Sequence, residues 1–139
     1  HTGIGQEDSF VLPSFCKQVA EIEKSGKPGT IKVGNLAAVR DFSDVRDIVR
    51  AYRMIIESDD CTKIFNVGSG EAHSLTELLE YIVSLSSQKI DIEIDPDRFR
   101  PVDTPIVCCD NSYIKAELGW KPKYSIFETL KEVYQYYLR

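Results

Sequence analysis

The stretch "AVRDFSDVRDIVRAY", residues 38–52, changes its period part-way along. Its first half is extended, with an Arg40–Asp41 pair set into apolar sequence just before Phe42. Its second half has helical spacing. Val45, Ile48, Val49, Tyr52, Ile55 and Ile56 fall on one stripe of a helix over about 45–57, and the pattern predicts that stripe to be buried. Ser43 or Asp44 can cap the helix, because a short polar side chain there accepts a free amide of the first turn. A strand running into a helix is the unit of an α/β fold. The charged pair is less easily explained, since surface helices supply charge more cheaply. One of its charges is expected to face a ligand, with Asp41 and the acids after it shaping the helix start.

The same alternation extends outward. Upstream, "SFVLPSFCKQVAEIEKSG" places Phe15, Val19 and Ile22 on one helical face, and Gly26, Pro28 and Gly29 end it. "TIKVG" reads as a short strand. Downstream, "KIFNVGSG" reads as a strand, Ile64–Val67, followed by a glycine turn. "SLTELLEYIVSLS" is a helix opened by a Ser74/Glu77 capping box. "IDIEI" alternates as a strand does, "DPDRFRPVDTP" is a proline-stiffened loop, and "IVCCD" is a short strand. Two helices close the chain: "NSYIKAELGW", stopped by Gly119, and "SIFETLKEVYQYYLR", with a Ser125/Glu128 capping box.

Bulk properties narrow the function. The 139 residues suit one domain, and 42% hydrophobic with 28% charged content is ordinary for a globular protein. A net charge of −5 argues against general nucleic-acid binding, and no apolar run is long enough to span a membrane. Cys16, Cys61, Cys108 and Cys109 form no CxxC, and neither His1 nor His73 stands at ligand spacing from them, so no metal site is expected. Adjacent Cys108 and Cys109 are expected to be reduced, semi-buried packing residues, which suits a cytoplasmic protein. "HTGIGQ" lacks the basic start and apolar run of a signal peptide and reads as the middle of a longer sequence, either processed or a fragment.

Few residues stand out for chemistry. "FNVGSGEAH" has the Gly-x-Gly of a dinucleotide loop, yet His73 occupies the third small position and residues 75–86 are helical where a second strand should end in an acid. Gly68 and Gly70 therefore read better as a tight strand-to-helix turn. The chain has no GxSxG, no HExxH and no evident carboxylate pair. Arginines remain: Arg40, Arg98 and Arg100. A guanidinium holds a diphosphate with parallel hydrogen bonds, and a proline-fixed loop loses little entropy in clamping it. The plainer alternative is surface ion pairing with Asp41, Asp97 or Asp103.

Six segments in order, "HTGIGQ", "FVLPSF", "VGNLAAVRDFSDVRDIVRAY", "FNVGSGEAHSLTELL", "RFRPVDTP" and "LGWKPKYSIFETL", resemble the C-terminal half of the extended short-chain dehydrogenase/reductases that modify nucleotide-sugars, in their GDP-sugar branch. The resemblance covers essentially the whole chain. It implies an α/β fold: the small substrate-binding domain, with about 41–68 supplying the last helix and strand of the Rossmann sheet. It implies that the cofactor-binding half, with its glycine-rich loop and Tyr-xxx-Lys pair, lies outside residues 1–139. Tyr52, Tyr81 and Tyr113 are followed four positions on by Ile56, Leu85 and Glu117, so no catalytic residue is assigned here and the chain alone is expected to be inactive.

Residue by residue, the resemblance places His1 beside the nicotinamide of NADP or NAD. Phe10 and Val11 would line the hexose and diphosphate. Asn35 and Arg40 would hold the nucleotide's sugar and phosphates. Arg100 would clamp the diphosphate, and Asp103 would accept from ribose hydroxyls. The implied activity is NADP(H)-dependent reduction of GDP-4-keto-6-deoxymannose by a homo-oligomer. Dehydratase or epimerase chemistry is one alternative, and "HTGIGQ" departs from the more basic dehydratase segment. A stand-alone GDP-sugar-binding or docking module is the other.

Overall fold

The computed structural model describes residues 1–60, 62–99 and 104–139 and is α/β, as the alternation predicts. Helix α1 (Val11–Ser25) carries Pro13 in its first turn, where no intrahelical amide is lost, and ends at Gly26 with φ +66°. It buries Phe15, Cys16, Val19 and Ala20. Helices α3 (Leu75–Ser84) and α5 (Ile126–Leu138) pack against it, supplying Leu78, Leu79, Ile82, Leu130 and Val133 to one core. Strand β1 (Gly29–Val33) adds Ile31 and Val33, while Thr30 and Lys32 face solvent.

Strand β1 pairs in parallel with β4 (Ile90–Ile94), Gly29 opposite Ile90 and Val33 opposite Ile94. A second sheet has the order β3–β2–β5. Its centre, β2 (Val39–Asp41), pairs antiparallel with β3 (Ala72–Ser74) and parallel with β5 (Ile106–Val107). Helix α2 (Val45–Ile56) follows β2, and helix α4 (Ser112–Leu118) ends at Gly119 with φ +65°. Ala51, Ile114 and Trp120 form a satellite core, against which Met54, Ile55, Phe65 and Val67 pack.

Capping follows the sequence with one change. Ser125 and Glu128 form both halves of their box. At α3 only one half forms. Ser74 accepts the Glu77 amide, but the Glu77 carboxylate turns to His73 Nδ1 at 3.2 Å. Asp44, not Ser43, caps α2.

Two predictions about the satellite region are corrected. Residues 64–67 form no strand. They alternate, with Phe65 and Val67 half-buried against the satellite core and with Ile64 89% exposed, but no strand pairs with them among the described residues. A ladder needs a neighbour, which a local pattern cannot supply. The apolar stripe of α2 is also not buried throughout. Ile48 and Ala51 point inward, while Val49, Tyr52 and Ile56 are 58%, 55% and 76% exposed. The adjacent cysteines differ as well. Strand β5 stops at Val107, leaving Cys108 exposed and Cys109 half-buried.

Candidate functional site

The site is built where the first residues of the chain lie beside the end of β2. Thr2 donates its amide to the Ser43 carbonyl at 2.9 Å, and its own carbonyl accepts from Val45 at 2.9 Å. This single parallel bridge, Thr2 to Asp44, fixes the segment against the start of α2. Gly3 makes room there, because a Cβ would stand 2.7 Å from Val45 Cγ1 and force that side chain to shift. The Asp44 side chain secures the junction, accepting from the Arg46 amide at 2.7 Å, the Arg46 guanidinium at 2.7 and 2.9 Å, and Thr129 Oγ1 at 2.7 Å. Burial alone would push its carboxyl up. The hydrogen bonds from Arg46 and Thr129, with the Arg46 charge, outweigh that and hold its pKa below the ordinary value.

An open cleft of about 350 Å³ results, lined by His1, Thr2, Gln6, Phe10, Val11 and Phe42 among others. Its volume is in the range of small-molecule sites. Three residues singled out in the sequence, His1, Phe10 and Val11, thus share one cleft. Thr2, Gln6 and Phe42 were missed. Thr2 and Gln6 belong to "HTGIGQ", in which the resemblance gives a role to His1 alone.

The other expected site residues flank the proline loop. Asp95 donates its amide to the Val33 carbonyl at 2.8 Å, and the backbone at Arg98 lies so close to Gly34 that a Cβ on that glycine would stand 2.3 Å from the Arg98 oxygen. At the far end, the Pro105 carbonyl accepts the Val39 amide at 2.9 Å and Arg40 Nη1 at 3.2 Å. Asn35 therefore lies between the two anchorages of this loop in the sequence, and Arg40 is part of one of them. Asn35 is half-buried and its Oδ1 accepts the Ala37 amide at 2.9 Å. Arg100 and Asp103, the loop's own expected ligands, lie outside the described residues, as does Cys61.

Asp41 does something else than shape the helix start. Its carboxylate accepts the amides of Ser69 at 2.9 Å, Gly70 at 2.8 Å and Cys109 at 3.1 Å, and the Ser69 hydroxyl at 2.5 Å. Asn111 closes the turn from the other direction, donating to the carbonyls of Gly68 and Ser69 at 2.8 and 2.9 Å. A Cβ on Gly68 would meet Cys109 Cβ at 2.4 Å, and Gly70 has φ +80°. These glycines serve a packed turn. Its amides already hold an anion, the Asp41 carboxylate, so a phosphate has no place there. The same carboxylate acts on Cys109, whose thiol is pushed up first by burial and then by the charge of Asp41.

Comparison with known proteins identifies the lineage. The family model described as GDP-mannose 4,6 dehydratase matches residues 1–133. The chain belongs to that family. Its resemblance to the nucleotide-sugar branch of the extended short-chain dehydrogenase/reductases is thereby borne out. It is 30% identical over 133 residues to the GDP-6-deoxy-D-mannose reductase of Pseudomonas aeruginosa, covering 96% of this chain and 44% of the relative. It is 28% identical to GDP-L-fucose synthase 1 of Arabidopsis thaliana, covering 96% of this chain and 40% of that protein. The solved structure of RMD from Pseudomonas aeruginosa complexed with NADPH superimposes with a TM-score of 0.91 at 28% identity, over 99% of this chain and 46% of that one. The chain thus spans less than half the length of these relatives. No helix among the described residues is long and apolar enough to cross a membrane.

Proposed function

We propose that this chain is the sugar-nucleotide-binding portion of an NADP(H)-dependent reductase acting on a GDP-4-keto-6-deoxyhexose. The observation that carries the reading is the cleft in which His1, Phe10 and Val11 come together. Similarity to a GDP-6-deoxy-D-mannose reductase supports the substrate class and the reaction. The proline loop is anchored at Gly34 and at Arg40, and the Arg40 guanidinium is of the kind that suits a diphosphate. Arg100 and Asp103 are the further ligands proposed from that loop.

In this reading the chain binds and orients, and converts a loose encounter into a fixed approach of the keto carbon. Phe10, Val11 and Phe42 would exclude water from the hexose, while Arg40 and Asn35 would hold the nucleotide end. The bound cofactor supplies hydride. The Gly68–Gly70 turn does not fit the pyrophosphate of a dinucleotide, because its amides are held by Asp41. Only His1 is proposed to approach the nicotinamide, and residues outside this chain would carry the cofactor, NADP or NAD, together with the proton donor. The complete enzyme is proposed to be a cytoplasmic homo-oligomer that binds neither nucleic acid nor membrane.

Titration calorimetry of the 139-residue chain with GDP-mannose and UDP-glucose tests this reading. Preferential binding of GDP-mannose, without NADPH oxidation by the chain alone, is expected. Absence of binding, or equal affinity for the two, overturns it.

A second reading concerns α2. Its exposed Val49, Tyr52 and Ile56, with exposed Ile64, favour a role for about 41–68 as a surface that docks on a sheet supplied from outside this chain.

A further inference from the structure

Thr2 is 3% exposed, and its Oγ1 is buried without a hydrogen-bond partner among the described residues. Gln6 Oε1 is buried and unpartnered in the same sense. Both residues line the cleft that also contains His1, Phe10 and Val11. Buried oxygens are nearly always paired, so two orphans in one cleft call for an explanation.

Neither is easily a local accident. The Thr2 backbone is fixed by its bonds to Ser43 and Val45, so the Cβ is held at the cleft and only rotation about χ1 moves the hydroxyl. The Gln6 amide is oriented by Nε2, which donates to the His1 carbonyl at 3.2 Å. Reversing that amide would set two oxygens against each other. Gln6 therefore offers an acceptor that needs an outside donor. Thr2 offers a hydroxyl that can donate or accept. The remaining wall is apolar: Phe10, Val11 and Phe42. A ligand that is apolar on its ring face and carries hydroxyls at its edge meets both demands, and a hexose is such a ligand.

We propose that Thr2 Oγ1 and Gln6 Oε1 hydrogen-bond the glycosyl hydroxyls of the bound nucleotide-sugar and select for which hydroxyls that hexose carries. The proposal rests on the GDP-sugar reading above and adds specificity residues to it. Gln6 requires a hydroxyl that donates, so a sugar lacking that group leaves its oxygen unpaired and is rejected.

The test is calorimetric titration of the 139-residue chain and its Thr2→Val and Gln6→Leu variants with two probes, GDP-mannose and GDP. The unaltered chain is expected to bind GDP-mannose more tightly than GDP. Each variant is expected to lose about ten-fold in GDP-mannose affinity and none in GDP affinity. Melting of Thr2→Val is expected at or above the unaltered temperature, because the variant removes an unpaired buried hydroxyl. Equal binding of the two probes by the unaltered chain, unchanged GDP-mannose affinity in both variants, or equal losses for both probes overturns the proposal alone. Failure of the unaltered chain to bind either probe overturns the GDP-sugar reading, and this inference with it.

Discussion

Asp41 and Gly70, 29 positions apart, are joined by a hydrogen bond of 2.8 Å from the glycine amide to the carboxylate. With the bonds from Ser69 and Cys109 it ties the glycine turn, strand β2 and the segment after β5 into one knot. Replacing Asp41 by Ala leaves three amides without their acceptor and the Ser69 hydroxyl with the Glu71 carbonyl alone. A loss of about 2–4 kcal/mol is expected, read as a lower urea midpoint with an unchanged slope. Unchanged stability would mean that water replaces the carboxylate at no cost, and the knot would lose its significance.

Asp44 predicts a pH dependence. Its folded pKa lies below its unfolded value, so ionised Asp44 stabilises the fold. That contribution is fully present above the unfolded carboxyl value of about 3.9 and is lost as pH falls through the lower folded value. Asp44→Asn keeps a capping oxygen and gives up the ion pair with Arg46. Urea unfolding between neutral pH and about pH 3 should show a steeper acid loss for the unaltered chain than for this variant. Parallel curves would remove Asp44 from the account.

Cys16 predicts a difference in thiol chemistry. It is fully buried under α5, and burial pushes its thiol up to about 12. Cys108 is exposed. At mildly alkaline pH an alkylating reagent should label Cys108 in the native protein and Cys16 only after denaturant is added, as peptide mass mapping would show. Native labelling of Cys16 would mean that α1 and α5 open readily.

The contrast between these elements shows what a sequence carries. The Ser125/Glu128 box is visible in four consecutive residues because its bonds close within one turn. The role of Asp41 is not, because its partners lie 28, 29 and 68 positions away. Cleft residues divide similarly. Family resemblance pointed to His1, Phe10 and Val11, whereas Thr2 and Gln6 became visible only once their oxygens were found buried and unpaired. Periodicity placed Val49, Tyr52 and Ile56 on a helix face correctly, but an apolar period does not say what covers that face.

That face supplies the last prediction. Val49, Tyr52 and Ile56 recur at helical spacing on α2 and are all more than half exposed, while Asp47, Ile48 and Ala51 hold the helix down from the other direction. Asp47 accepts the amides of Lys123 and Tyr124 at 2.8 and 3.0 Å, and Trp120 Nε1 donates to its carbonyl at 3.1 Å. The helix is therefore anchored by residues outside the exposed stripe. Changing Val49 to Glu and Ile56 to Lys should alter stability by no more than about 0.5 kcal/mol each. If the stripe is a docking surface, the unaltered chain should self-associate and bind a hydrophobic dye, and the double variant should sediment as a monomer with little dye bound. A large loss of stability would show instead that the stripe is part of this chain's own core. A monodisperse, dye-free unaltered chain would leave α2 with no docking role.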